Sequence, residues 1–110
     1  MANEFANAQK VGVTTVQTVY TAAAGKTCIM LELDIANTTS AVVEASVELL
    51  DLSAGASAWR HIVKNAPIPA GGSLMVIAGQ KIVLEPTDIV KVTATGAVDV
   101  VAAILEDVNP

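Results

Sequence analysis

The chain has 110 residues, of which 53% are hydrophobic, 15% charged and only 3% aromatic, with a formal net charge of -5. One domain with a single, mainly aliphatic core fits this length, and the apolar content excludes disorder. Six scattered basic residues against eleven acidic ones repel nucleic acid rather than grip it.

Residues 1–9, MANEFANAQ, are small and polar with no period, and are expected to be a flexible N-terminal arm ahead of a domain spanning 10–108. The segment KVGVTTVQTVYTA is rich in β-branched residues, and AAAGK then supplies a turn. TCIMLELDIAN alternates, which predicts Ile29, Leu31, Leu33 and Ile35 on one face of a strand and Cys28, Met30, Glu32 and Asp34 on the other. NTTS ends it. AVVEASVELLD repeats the pattern, with Val43, Ala45, Val47 and Leu49 inward. A helix competes for this segment on propensity, but the hairpin-length connection and the alternate glutamates favour a strand.

A loop around Gly55 leads to AWRHIVKN, read as Trp59, His61 and Val63 opposite Arg60, Ile62 and Lys64. Pro67 and Pro69 each lack a backbone donor, so NAPIPAGG reads as an extended crossover ending in a Gly-Gly turn. LMVIA and KIVLE read as two short runs, and EPTD as a tight turn. In DIVKVTA, Val90 and Val92 share a face. The last segment, VDVVAAILEDV, is apolar on both faces, with Val98, Val100, Ala102 and Ile104 on one and Val101, Ala103 and Leu105 on the other. Such a strand sits centrally in a sheet or has one face covered by another chain. The fold class is therefore all-β: a single antiparallel β-sandwich of about eight short strands, with the jelly roll among the arrangements this spacing allows.

Residues that carry chemistry are sparse. Gly25-Lys26-Thr27 is the tail of a phosphate-binding loop, but position 20 is Tyr20 and a strand rather than a helix follows. His61 and Cys28 are the only residues of their kinds, too few for a zinc set, and no Gly-x-Ser-x-Gly elbow presents a serine to His61. Cys28 reads as a small buried hydrophobe of a chain that folds in a reducing cytoplasm. Glu32, Asp34, Glu44 and Glu48 could share one sheet face, where a solvated surface is the simpler reading than calcium. Asn37-Thr38-Thr39 matches a glycosylation acceptor, which matters only in a secreted chain, and no apolar secretory segment opens this one. No apolar run approaches the ~18 residues that cross a bilayer. Trp59 suits either the core or, beside Arg60, an interface anchor. No enzyme activity, metal or cofactor is expected.

The order YTAAAGKT, LELDIANTT, PIPAGGSL and VLEPTDIVKV, covering Val19 to Leu105, resembles small virion structural proteins of tailed bacteriophages. That resemblance implies a non-enzymatic capsid decoration (cement) protein that binds and stabilises the outer shell, with a neck, tail or fibre-associated receptor-binding module as the alternative. It implies residence in the virion after assembly in the host cytoplasm. The partners implied are the major capsid protein or other virion proteins, and copies of the chain itself, a trimer being favoured. Neither nucleic acid nor membrane is an expected partner. The residues expected to form the interface are Phe5, Trp59, Arg60, Val101, Ala103 and Leu105. One departure from the family pattern is Thr87, where the turn after Pro86 usually has glycine; a type I turn is expected in consequence.

Overall fold

A computed structural model describes residues 4–52 and 59–108. Residues 1–3 and most of the loop around Gly55 lie outside the described residues. Eight strands follow one another: β1 (Glu4–Val13), β2 (Gln17–Thr21), β3 (Cys28–Asn37), β4 (Val43–Leu50), β5 (Arg60–Ile68), β6 (Ser73–Leu84), β7 (Ile89–Ala94) and β8 (Val98–Glu106). They form two four-stranded sheets, ordered β1-β8-β3-β6 (sheet A) and β2-β7-β4-β5 (sheet B). All pairings are antiparallel.

The connectivity has a simple logic. β1 pairs with β8, β2 with β7, β3 with β6 and β4 with β5. The first half of the chain runs out and the second half runs back along it, and this long ribbon wraps into two layers. That is the jelly roll, two Greek keys closed face to face. β1, β3 and β6 of sheet A each continue into a strand of sheet B, so every connection between the strands except that from β4 to β5 crosses the sandwich.

The core between the sheets is aliphatic, as the composition requires. Met30, Leu33, Ile35, Val47, Ile68, Ile77, Leu84, Val90, Val92, Val98 and Ile104 are fully buried. β4 is a strand with Val43, Ala45 and Val47 inward, as expected. β8 lies between β1 and β3, and its alternation is as read: Val98, Val100, Ala102 and Ile104 fill the core while Val101, Ala103 and Leu105 turn outward.

Several expectations need correction. Residues 4–9 are not a loose arm but the first half of β1, paired from Glu4 opposite Glu106 to Gln9 opposite Val101. Their polar side chains gave no hydrophobic signal because an edge strand is held by backbone hydrogen bonds to β8. The segment from Lys10 onward splits at residues 14–16 into β1 and β2, which belong to different sheets. LMVIA and KIVLE instead merge into the 12-residue β6.

Bulges overturn two face assignments. In β3 the register with both neighbours shifts between Met30 and Glu32. The extra residue puts Cys28 and Met30 on the same side as Leu33 and Ile35, so Cys28 and Met30 are buried, whereas Ile29 and Leu31, expected inside, are only half-buried. In β5 two register shifts break the alternation. Val63 faces Val47, whereas His61 faces Glu48 on the outer side. The same strand runs on to Ile68 through Pro67, which is tolerated because β5 is a sheet edge.

The EPTD turn is also corrected. Thr87 has φ of 76°, and Asp88 N donates to Glu85 O at 3.0 Å. With Pro86 at the second position and positive φ at the third, this is a type II turn. Its geometry is held from outside: Thr87 N donates to Ala22 O and Ala22 N to Asp88 O, both at 2.9 Å.

Candidate assembly surface

The outer face of sheet A carries the main cluster of expected interface residues. Phe5 stands opposite Leu105, Leu105 opposite Ile29, and Ile29 opposite Val83. One apolar row therefore crosses all four strands. The next row is Asn7, Ala103, Glu32 and Ala78, and the third is Gln9, Val101, Asp34 and Met75. Phe5 is 79% exposed, Met75 69%, Val83 57% and Val101 47%, so the face is uncovered in the isolated chain. Contiguous apolar surface of this kind marks sites where another molecule sits.

Acidic groups sit within this face. The Glu32 carboxyl is held above the usual carboxylate range, first by its hydrogen bond with Asp34 and by the like charge there. Asp34 Oδ1 is buried with no hydrogen-bond partner. Asp99, in the row beyond, accepts from Gly12 N at 3.1 Å, where positive φ at Gly12 forms a bulge in β1.

Trp59 and Arg60 lie on the opposite side of the molecule, at the start of β5 in sheet B. The structure thus brings together Phe5, Val101, Ala103 and Leu105 but not these two. Trp59 is half-buried on the outer face, and the Lys91 ammonium lies 4.1 Å from its ring centroid. Lys91 Nζ and His61 Nε2 each approach a Glu48 carboxylate oxygen at 3.8 Å. Thr18, Lys91, Glu48 and His61 form one polar row across sheet B, and Thr21, Ile89 and Leu50 form the row beside it.

Sequence reasoning missed Ile29, Leu50, Met75, Val83 and Ile89 as outward apolar residues. Val83 and Met75 could have been found from alternation in β6, had the two runs been joined. Ile29 could not, because a bulge leaves no compositional mark.

Other candidate chemistry disperses. Glu32 and Asp34 belong to sheet A and Glu44 and Glu48 to sheet B, so the four carboxylates do not share a face. Asp51, Glu85 and Asp88 bring one carboxylate oxygen each within 4.8 Å of one another. Asp88 is occupied there, accepting from Glu85 N at 3.0 Å across the type II turn. Asn37 of the acceptor tripeptide is 2% exposed. Its amide donates to Ala41 O at 2.7 Å and Ile68 O at 2.9 Å, and its Oδ1 accepts from Thr39 N and Thr39 Oγ1. That side chain ties the β3–β4 connection to the end of β5 and is not available to a glycan. The Gly25 turn, with φ of 78°, leads directly into β3. The Tyr20 phenol hydrogen-bonds Glu106 and Cys28 and joins the two sheets at one end; burial, then these contacts, push its titration far above the ordinary phenol range.

No family model and no curated protein matches the sequence. Among solved structures, a pentameric capsid protein isolated from metagenomic phage sequences superposes in two crystal structures. The TM-scores are 0.47 and 0.44 at 16% and 15% identity, covering 90% of this chain and 60% of that one. A chain of infectious bursal disease virus, Gx strain, gives 0.41 at 14% identity, with 97% of this chain and 35% of that chain covered. This chain therefore spans between 35% and 60% of the length of these proteins. At such identities the function has to be read from the chain's own surfaces.

Proposed function

We propose that the chain is a non-enzymatic structural component of a virion, of the capsid decoration type, working as a rigid assembly unit. The observation that carries this reading is the apolar row Phe5, Leu105, Ile29 and Val83, with Val101 and Met75 beside it, on the outer face of sheet A. The row makes sense when another protein covers it.

The reading also draws on the sequence resemblance to tailed-phage virion proteins. It assigns the candidate residues two places, with Phe5, Val101, Ala103 and Leu105 on sheet A and Trp59 and Arg60 on sheet B. The partners are then the major capsid protein and further copies of the chain.

The test is imaging of particles assembled with and without the chain. Extra density at regular positions on the outer shell is the expected result. Density confined to a neck, tail or fibre would replace the decoration reading with the alternative, and no difference at all would remove the virion role.

A further inference from the structure

We propose that two copies of this chain join edge to edge: β1 of one pairs antiparallel with β1 of the other about a two-fold axis at Asn7, so that their four-stranded sheets A become one. The proposal rests on reading the chain as an assembly unit and names one contact between copies.

Three observations carry it. The first is which edge lies open. β1 and β6 are the edges of sheet A, and β2 and β5 those of sheet B. A free edge accepts another strand unless it is short, kinked, charged or interrupted by proline. β2 has only five residues and a register shift. β5 carries Pro67, exposed Arg60 and Lys64, Asn65 at φ of 49° and two register shifts. β6 carries exposed Lys81 and two register shifts against β3. β1 alone among the four keeps an unbroken register from Glu4 to Lys10, with no proline in it. The register shifts only beyond Lys10, where Gly12 takes φ of 62°.

The second is that this run complements itself. Strands paired across a two-fold set residues of one sheet face against each other, so only every second register is allowed. Centring on Asn7 uses the whole run: Glu4 meets Lys10, Phe5 meets Gln9, Ala6 meets Ala8, and Asn7 meets its own copy. The neighbouring allowed registers are shorter and part Glu4 from Lys10. Each end of the seam then holds one glutamate opposite one lysine, a stabilising cross-strand pair. A lysine on an edge ordinarily turns foreign strands away. Lys10 is matched in the one register that its own copy provides.

The third is the state of these charges in the single chain. Glu4 stands directly opposite Glu106 in β8, and like charges so placed oppose pairing. Among the described residues neither Glu4 nor Lys10 makes an ion pair. Lys10 of the second copy reaches Glu4 from the side away from Glu106 and supplies the cation it lacks. Phe5, 79% exposed, gains Gln9 of the second copy as a neighbour across the seam. The contact is the same patch on both copies, so it closes at two and leaves the outward row Phe5, Leu105, Ile29 and Val83 of each facing a third molecule.

The experiment uses charge swaps in the full chain, with folding checked by circular dichroism. Sedimentation equilibrium should give the unchanged chain as a dimer. Lys10→Glu and Glu4→Lys each set like charges at both ends of the seam and should weaken the dimer by roughly tenfold or more, while the two changes together restore it. Asn7→Cys should be joined into dimers by a short bis-maleimide cross-linker, and Val83→Cys, on the opposite edge of sheet A, should not. Single variants that dimerise as tightly as the parent, a double variant that stays weak, or cross-linking through Val83→Cys in place of Asn7→Cys overturns the pairing. So does a trimer. A monomeric chain that still decorates shells overturns the pairing while the virion reading stands, and a charge-dependent dimer that adds no density to particles supports the pairing and removes the virion reading.

Discussion

At the scale of single residues, Thr87 carries the clearest cost in the molecule. A β-branched side chain at φ of 76° crowds its own carbonyl, and only the turn's surrounding hydrogen bonds hold it there. Thr87→Gly should remove roughly 1 kcal/mol of this strain, partly offset by the greater freedom of glycine in the unfolded chain. A small rise in melting temperature, read by calorimetry, is the expected outcome. An unchanged or lower value would mean that the Thr87 side chain contributes contacts outweighing its backbone strain.

Glu32 gives the pH prediction at the same scale. Its carboxyl is raised above 4.5 in the folded chain by the hydrogen bond to Asp34. A raised acid means the folded state holds its proton more tightly than the unfolded one. The stability this contributes is complete below the unfolded value and is lost as pH rises through the folded one. Urea midpoints measured from below pH 4.5 upward should therefore fall less steeply in Glu32→Gln than in the parent chain. Parallel curves for the two would show that Asp34 shares no proton with Glu32.

At the scale of elements, the inner and outer faces of the two sheets should answer substitution in opposite ways. Val47 of β4 is fully buried opposite Val92 and Val63, so Val47→Asp leaves an unpaired charge in an aliphatic core. The lost burial alone is ~1.5–3 kcal/mol and the stranded carboxylate adds more, so the variant should not fold. Val101 of β8 points outward opposite Asp34, and Val101→Lys should shift stability by no more than about 0.5 kcal/mol while weakening assembly. Thermal melts of both variants separate core from surface directly. If Val101→Lys unfolds, the outer face of β8 belongs to the core.

Much of this level was legible in the sequence. Strict alternation in β4, β7 and β8 placed their inward residues correctly, because no bulge interrupts them between their buried positions. β3 and β5 alternate just as clearly in composition, yet bulges invert part of each. The side-chain period of two makes every later assignment depend on counting residues without interruption. An inserted residue is set by pairing with a neighbour strand, and nothing local announces it.

At the scale of the whole molecule, the wrapped ribbon explains why the expected interface residues fall into two groups. Phe5 is 100 residues from Leu105 in sequence but opposite it in sheet A, because β1 and β8 are the two ends of the ribbon. Trp59 and Arg60, near the ribbon's fold-back point, go to the far edge of sheet B. The outward row Phe5, Leu105, Ile29 and Val83 is a consequence of that path.

The sequence by itself determined an all-β sandwich with an aliphatic core and a last strand apolar on both faces, and left open whether that strand is central or covered by another chain. Those properties follow from composition and from a period of two, which each segment carries within itself. The tertiary structure alone decided which strands share a sheet, where bulges reverse a face, that residues 4–9 join β1, and that Phe5, Leu105, Ile29 and Val83 line up. Each of these depends on hydrogen bonds between segments far apart in the chain, and a backbone donor looks the same in the sequence whichever strand it will meet.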